Sequence, residues 1–507
     1  MPLSIPIDGG GGAPPADVAF TQVSANLRTP FVAIEIDPTN ATGGGLQRNL
    51  PVLLIGSYDN TISTVVPSVP VQIFSASQAA ALFGNGSLLH EMAISWFANN
   101  VDTPVYAAPI ADAGGATVST WTLTCTIPSG TIQNGTLALY INGVYYGVGI
   151  TQGMTVAQVA TAIAAAITGQ YGCPVTAVAV AGVVTLTSKG KGAWTTGIDV
   201  RLNYSATDAQ PVNLAVAIAS ATSGATNPVL TTLIANIVNN QYQFYVLPYT
   251  DSTTVGALNT ELIRRWGAMV QTEGFAITAL NGSQGTLASY GTALNSQCLV
   301  VVGYNNSPDA NYAWAAAVAG QVSNAAAIDP ARPFNTLPLV GILAPPLTSQ
   351  WTQSMANALL WDGIATTYVD SGGTVRIQRL ITTYQKDVNG TPTPAYLDLN
   401  SPLTLAFIRM DLRNYISSKY PRSKLANDGT RFGQGQPIVT PSILKGEIIA
   451  RARTWEDLGL VDNVDGFASS LSVVRNPADN TRVDVFMAPS LVSSLQVVGV
   501  LIQYLLG

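Results

Sequence analysis

The feature that most constrains this chain is its apolar C-terminal segment, the thirteen residues 495–507. The segment contains no charged residue and is rich in Val, Leu, Ile and Tyr, which favour β-strands. Chain ends are usually polar, and this one is too short to span a bilayer, which takes about 20 apolar residues. We therefore expect it to be buried in a β-sheet, either of its own subunit or of a neighbouring copy.

The composition of the 507-residue chain indicates several domains and a surface that carries few charges. Charged residues make up only 10% of the chain, whereas soluble proteins carry about 25%. Interface cores are depleted in charge, so this composition favours a subunit that binds copies of itself. A very stable or secreted globular protein is the alternative. The net charge of −6 argues against general binding to nucleic acid.

Few residues of the sequence suit catalysis or metal binding. The only histidine is His90, and the three cysteines, Cys125, Cys173 and Cys298, show no CxxC spacing. Neither a GxSxG motif nor a phosphate-binding loop occurs. We therefore predict no catalytic residue, no cofactor site and no metal site. The alternative is an α/β-fold, hydrolase-like enzyme in which Asp251 or His90 acts as a base.

The start of the chain lacks the basic region and the apolar core of a signal peptide. We therefore expect a cytoplasmic origin and no stable insertion into a membrane. This expectation also argues against a third hypothesis, a self-assembling surface-layer protein, because such a protein would be secreted.

Alternating strand and helix patterns predict a multidomain α/β chain whose body has a mainly parallel sheet. Between Asp112 and Asp199 the pattern becomes β-rich, and the only charged residues there are Lys189 and Lys191, which indicates an inserted small α+β domain. The predicted regions are an N-terminal arm (1–36), the first part of the body (37–112), the inserted domain (113–205), the second part of the body (206–363), a C-terminal α+β domain (364–488) and a C-terminal strand arm (489–507).

Helical periodicity in the body predicts a helix over residues 255–271. Its apolar positions, Leu258, Leu262, Trp266 and Met269, recur at the spacing of one helix face and are expected to point inward.

Basic residues are concentrated between residues 376 and 453, where twelve Lys and Arg stand against five Asp and Glu. Two interpretations are equally compatible with this spacing. The cluster is either a solvated face with local ion pairs, worth about 0–1 kcal/mol each, or a strip that binds an acidic partner through complementary charge.

Five segments of the chain carry a family resemblance through their order and spacing. The segments are residues 46–56, residues 75–83 continuing into 86–93, residues 329–335, residues 360–368 and residues 376–384. Together they resemble the contractile phage tail sheath family in its Mu-like branch, and the resemblance covers most of the chain, including residues 113–205.

The resemblance implies a structural protein of the virion rather than an enzyme. Subunits of that family stack as hexameric rings around an inner tail tube and contract to drive the tube through the host envelope. The implied partners are other copies of the chain, the tail tube protein, and the baseplate and tail terminator proteins, in a tail assembled in the host cytoplasm.

The resemblance also implies roles for particular regions of this chain. The inserted domain would face outward, the C-terminal domain would face the tube, and both terminal arms would add strands to neighbouring subunits. The expected residues of the arms are Ile34, Ile36, Val497, Val498, Val500, Leu501 and Ile502. The expected tube-facing residues are Arg409, Arg413, Lys419, Arg422 and Lys424.

Overall fold

The computed structural model describes residues 50–62 and 64–505, which form both helices and strands, so the prediction of a mixed α/β chain is confirmed. The strands are β1 (Val52–Ser57), β2 (Val71–Ile73), β3 (Val105–Ile110), β4 (Thr120–Thr126), β5 (Gly135–Ile141), β6 (Val144–Ile150), β7 (Val175–Val180), β8 (Val183–Ser188), β9 (Val200–Leu202), β10 (Ala215–Thr222), β11 (Phe244–Val246), β12 (Phe275–Asn281), β13 (Leu299–Tyr304), β14 (Thr366–Val369), β15 (Val375–Arg379), β16 (Lys424–Leu425), β17 (Ile438–Val439), β18 (Val461–Asp462), β19 (Ser472–Arg475), β20 (Val483–Phe486) and β21 (Ser490–Leu491). The helices are α1 (Ala76–Phe83), α2 (Leu88–Asn99), α3 (Val156–Thr168), α4 (Thr231–Asn236), α5 (Ser252–Trp266), α6 (Gln284–Thr292), α7 (Asn311–Ile328), α8 (Gln353–Trp361), α9 (Asn400–Lys419), α10 (Pro441–Asp457) and α11 (Val464–Ser470).

A six-stranded sheet lies at the centre of the body, in the order β13-β12-β11-β1-β3-β2. The pairs from β13 to β3 are all parallel, and only β2 runs antiparallel to its neighbour. Every residue of β1 and of β13 is buried, as expected for parallel strands that are covered on both faces.

Serine side chains cap α1 and α2, the first two helices of the body. Ser75 Oγ accepts a hydrogen bond from the backbone N–H of Gln78 at 3.1 Å, and the Gln78 side chain accepts one from the N–H of Phe74 at 2.8 Å. Ser87 caps α2 by accepting from the N–H of His90 at 3.3 Å. These bonds satisfy backbone donors that a helix start otherwise leaves free.

Residues 120–222 form two antiparallel sheets that contact α3. One sheet has four strands in the order β10-β4-β8-β7, and the other has three in the order β6-β5-β9. The predicted limit of the inserted domain at residue 205 is corrected here. Strand β10 lies beyond that limit but pairs with β4, with Val216 opposite Cys125. We call residues 120–222 the inserted unit.

The predicted start of the C-terminal domain at residue 364 also needs correction. The N–H of Ala365 donates to the carbonyl of Val301 at 2.8 Å, so the chain before β14 extends the central sheet of the body. The main hydrophobic core continues to Ala406, and a second, smaller core begins at Phe407. The division between the two cores therefore falls within α9, because its first half packs on the body.

The N-terminal arm predicted over residues 1–36, with Ile34 and Ile36, lies outside the described residues.

Candidate assembly surfaces

The C-terminal segment separates from its own subunit after a short pair of strands. Strand β21 pairs antiparallel with β18, and the N–H of Val492 donates to the carbonyl of Leu460 at 3.2 Å. In the described residues after Val492, up to Leu505, the chain forms no helix, no strand and no hydrogen bond. Beyond Val492 the predicted strand arm therefore has no partner strand among the described residues.

The apolar side chains of this segment are exposed. Burying one large apolar side chain stabilises a protein by roughly 1.5–3 kcal/mol, and exposed apolar patches commonly mark interaction sites. The segment thus exposes contiguous apolar side chains of the kind that interaction sites carry. The exposed fractions of the five predicted arm residues are 84% for Val497, 71% for Val498, 75% for Val500, 85% for Leu501 and 80% for Ile502.

Arg409, the first of the predicted tube-facing residues, is bound within the subunit. Its guanidinium lies 3.0 Å from the carboxylate of Glu273 and donates to the carbonyl of Trp266 at 2.7 Å. The same group lies 4.9 Å from the centroid of the Trp266 ring, within the range of a cation–π interaction. Arg409 therefore fastens α9 to the body.

Arg413 and Lys419, on the following turns of α9, also make contacts inside the subunit. Arg413 donates to the backbone carbonyl of Gln271 at 3.1 Å. The ammonium of Lys419 lies 2.6 Å from the carboxylate of Glu447 and 3.1 Å from the hydroxyl of Tyr415. The hydrogen bonds that this ammonium donates to Glu447 and Tyr415 raise the pKa of Lys419. For Arg409 and Lys419 the structure favours the local ion pairs that the sequence left open, whereas Arg413 is held by hydrogen bonds to Gln271.

Arg422 and Lys424 differ from the other three members of the set. Both side chains are exposed, with Arg422 in the turn that follows α9 and Lys424 at the start of β16. Among the described residues Arg422 makes no hydrogen bond or ion pair, and Lys424 makes one long contact of 3.4 Å with the amide oxygen of Gln436. These two cations are therefore available to a partner.

An apolar groove of about 780 Å³ runs beside α9. Its lining includes Trp266, Tyr396, Ile408 and Leu412, together with Met487, which precedes the C-terminal segment. The groove thus joins the surface of the body to the base of the exposed segment.

The enzyme hypothesis proposed His90 or Asp251 as a base, and contacts within the subunit account for both side chains. His90 is buried, its Nδ1 accepts from the N–H of Gly86 at 3.0 Å, and its Nε2 lies 3.1 Å from the hydroxyl of Tyr171. Burial, with the nearby charge of Lys189, lowers the pKa of His90 to about 4. Asp251 caps α5, accepting from the N–H of Thr254 at 2.9 Å. Both side chains have structural roles.

The described part of the chain contains no group of three or more His, Cys, Asp and Glu side chains that could hold a metal ion. Burial raises the pKa of the Cys125 and Cys173 thiols, and raises that of Cys298 to about 12. In residues 50–62 and 64–505, no helix is both long enough and apolar enough to cross a membrane.

One buried cluster in the C-terminal region was not found from the sequence. The carboxylate of Asp411 on α9 accepts from the Arg451 guanidinium at 2.6 Å and from the Trp455 indole N–H at 2.6 Å, both on α10. The partners are far apart in the sequence, so no local spacing signals them. The cluster therefore links α9 to α10.

Comparisons with known proteins identify the family of this chain. The profile of the phage tail sheath protein central domain matches residues 223–383, and that of the phage tail sheath C-terminal domain matches residues 391–504. The chain is 32% identical over 490 residues to the Mu-like prophage FluMu tail sheath protein of Haemophilus influenzae, covering 96% of this chain and 100% of that relative.

Solved structures of sheath proteins also match this chain, but at lower sequence identity than the Haemophilus influenzae relative. A sheath tail protein from Desulfitobacterium hafniense matches with 11% identity and a TM-score of 0.45, covering 91% of this chain and 100% of that one. A chain of the anti-feeding prophage baseplate matches with 10% identity and a TM-score of 0.47, covering 95% of this chain and 100% of that one. On the strength of the sequence matches, this chain belongs to the phage tail sheath family, in its Mu-like branch, and is a structural subunit of a contractile tail sheath.

Proposed function

We propose that copies of this chain stack as hexameric rings around an inner tail tube, and that the C-terminal segment of each copy adds a strand to a neighbouring copy. The observation that carries this proposal is the exposed, unpaired apolar segment after Val492. Contraction of the stack drives the tube through the host envelope. The tail is assembled in the host cytoplasm, and its ends meet the baseplate and tail terminator proteins.

The energetics of strand addition favour an apolar segment. Ordering the backbone costs about 1–2 kcal/mol per residue, while each new hydrogen bond returns only about 0.5–1.5 kcal/mol. Burial of the apolar side chains therefore decides whether the segment binds. In an extended strand Val498, Val500 and Ile502 lie on one face, and this β-branched face would pack against the neighbouring copy.

Truncation after Val492 tests the proposal. The truncated chain keeps β21 and both hydrophobic cores, so we expect folded monomers with an unchanged melting temperature. We expect no tubes by electron microscopy under conditions in which the full chain forms them. Normal tubes from the truncated chain would contradict strand addition by this segment.

A matched pair of point variants distinguishes two causes of lost assembly, the loss of apolar burial and the introduction of a charge. Val500→Asp places a carboxylate on the β-branched face and is expected to abolish tubes. Gln503→Asp places the same charge three residues further on, at a position that is already polar, and is expected to leave some assembly. Equal loss of assembly in both variants would argue against packing of that face.

The contact with the tube is proposed to involve Arg422 and Lys424, since Arg409, Arg413 and Lys419 are bound within the subunit. Reversing both charges, R422E/K424E, should weaken docking onto purified tail tubes without preventing sheath polymerisation.

The matched control for this reversal is R332E/K386E, which makes the same change in net charge at two exposed residues of the body. Tube docking should be insensitive to the control and should lose its salt dependence in R422E/K424E. Unchanged docking of R422E/K424E would overturn this assignment.

A further inference from the structure

The four-stranded sheet of the inserted unit has two open edges. Within the described residues β7 pairs only with β8, and β10 pairs only with β4. Neither edge strand contains a charged residue or a proline. Proteins usually protect exposed edges with Lys, Pro or bulges, because an open edge is a template for pairing with another chain. These two edges lack such protection over most of their length.

The ladder geometry identifies the free backbone groups on β7. The N–H of Lys189 donates to the carbonyl of Pro174 at 2.9 Å. Antiparallel hydrogen-bonded pairs alternate along a strand, so Thr176, Val178 and Val180 face β8. The N–H and C=O groups of residues 175, 177 and 179 therefore point away from the sheet.

The same reasoning applies to β10. The N–H of Cys125 donates to the carbonyl of Gly182, which directly precedes β8, at 2.9 Å. Because the backbone groups of successive residues point to opposite sides of a strand, those of Thr124 and Thr126 face β10. Their partners Ala217 and Ala215 bond to β4. The backbone groups of residues 216, 218 and 220 consequently point outward. On β7 the N–H of Val175 is hydrogen-bonded to the Cys173 sulfur, so residues 177 and 179 keep both backbone groups free.

Strand direction determines how two copies can meet. In an antiparallel sheet of four strands the two edges run in opposite directions, so a second copy in the same orientation brings its β10 antiparallel to β7. The other sheet of the unit has three strands, so its edges, β6 and β9, run in the same direction. Joining them would require parallel pairing through β9, which has only three residues.

The lengths of the two edges also match. Strand β7 has six residues, and the single register shift in β10 lies between Ser220 and Thr222, which leaves the six residues 215–220 regular. On the outer face of β7, Val178 and Val180 are 62% and 68% exposed. An apolar neighbour on this face would cover both side chains, as cross-strand pairs do within a sheet.

We propose that the inserted units of adjacent copies join edge to edge, with β7 of one copy against β10 of the next, in a continuous antiparallel sheet. The contact is heterologous, so it repeats from copy to copy without a two-fold axis. A single strand pair is marginally stable in water, and the pairing therefore forms only between copies that other links already hold together. This edge pairing therefore rests on the proposed assembly of the chain into a sheath.

Disulfide trapping in the assembled full-length chain tests the pairing. Val178→Cys is combined in turn with Ala215→Cys, Ala217→Cys and Ala219→Cys, a series on one face of β10 that samples the possible registers. Within one subunit these edges are three strand spacings apart, about 14 Å, which exceeds the roughly 4.4–6.8 Å between the Cα atoms of a disulfide. The three native cysteines are buried and serve as an internal background.

Oxidised tubes of at least one double variant are expected to lose the monomer band and to yield a ladder of multimers on a non-reducing gel. Each single variant should remain monomeric, because β7 meets β10 and not another β7. The control Val178→Cys/Thr161→Cys, with the second thiol on the exposed face of α3, should also remain monomeric.

Intact tubes without cross-links in all three double variants would overturn the edge pairing and leave the proposed function standing. Cross-linking of the single Val178→Cys variant would also overturn it, since that result requires contact between like edges. Absence of tubes from the unmodified chain, seen by electron microscopy before oxidation, would instead count against the proposed function and remove the basis of the pairing.

Discussion

The body and the C-terminal region of this chain are stabilised in different ways. The body has a sheet whose central strands are completely buried and a large apolar core. The C-terminal region has a smaller core, holds α9 and α10 together through the buried carboxylate of Asp411, and leaves an apolar segment in solvent. We expect from this difference that the body folds independently, and we propose that the exposed segment of the C-terminal region is completed by association.

Removing a large side chain from the core of the body should have the largest effect. Trp314 is fully buried and stacks on Tyr304, with ring centroids 4.5 Å apart. Trp314→Ala is expected to cost about 3–5 kcal/mol of unfolding free energy, measured by denaturant titration. The control is Trp361→Ala, whose side chain is 78% exposed, and which should change stability by less than about 0.5 kcal/mol.

Removing the buried charge of the C-terminal region should have a smaller and more local effect. Asp411→Asn weakens the contacts with Arg451 and Trp455, and we expect a loss of roughly 2–3 kcal/mol. This is below the 3–5 kcal/mol typical of a broken buried pair, because the side chain of Arg451 is 21% exposed.

Hydrogen exchange would show where this loss occurs. Amides of α9 and α10 should exchange faster in Asp411→Asn, while those of the central sheet should keep their protection. Equal loss of protection in the body would contradict the distinction between the two regions. The exposed pair of Arg482 and Asp484 provides the control, since Asp484→Asn should change stability by about 0–1 kcal/mol.

The smallest expected effect concerns the dependence of the stability of the body on pH. Glu91 on α2 is buried and accepts from the side-chain amide of Asn142 at 3.1 Å, and burial raises its pKa to about 8. Between pH about 4.5 and 8 the folded state binds more protons at this group than the unfolded state. The unfolding free energy contributed by Glu91 therefore falls as pH rises through this window.

Glu91→Gln should remove this dependence, because the amide is neutral at every pH. We expect the variant to gain melting temperature over the natural chain at pH 8.5 but not at pH 4, measured by calorimetry. Asp102→Asn, at an exposed residue, serves as the control. A gain of equal size at both pH values would show that Glu91 is not protonated in the folded state.

Much of the body could be predicted from the sequence because its signals are local. Alternating strand and helix patterns gave the parallel arrangement, and Ser75 and Ser87 cap the predicted helices. One helix was extended too far. Its apolar pattern predicted an end at residue 271 with Met269 inside, but α5 ends at Trp266, where Gly267 takes an extended conformation, and Met269 is 96% exposed.

Features that depend on distant partners could not be predicted in this way. The pairing of β10 with β4 leaves no mark on the local pattern of either strand, so the limit of the inserted unit was placed too early. Likewise, the spacing of basic residues on α9 could not show that Arg409 meets Glu273 while Arg422 remains free. The C-terminal segment was informative because its composition is incompatible with stable exposure to water.

The most direct test of the account is hydrogen exchange of the amides of residues 495–505, measured by mass spectrometry in the monomer and in assembled tubes. The account predicts rapid exchange in the monomer, where these amides have no hydrogen-bond acceptor, and strong protection in tubes, where a neighbouring copy supplies the partner strand. Protection of this segment in the monomer, or equally rapid exchange in both states, would contradict it.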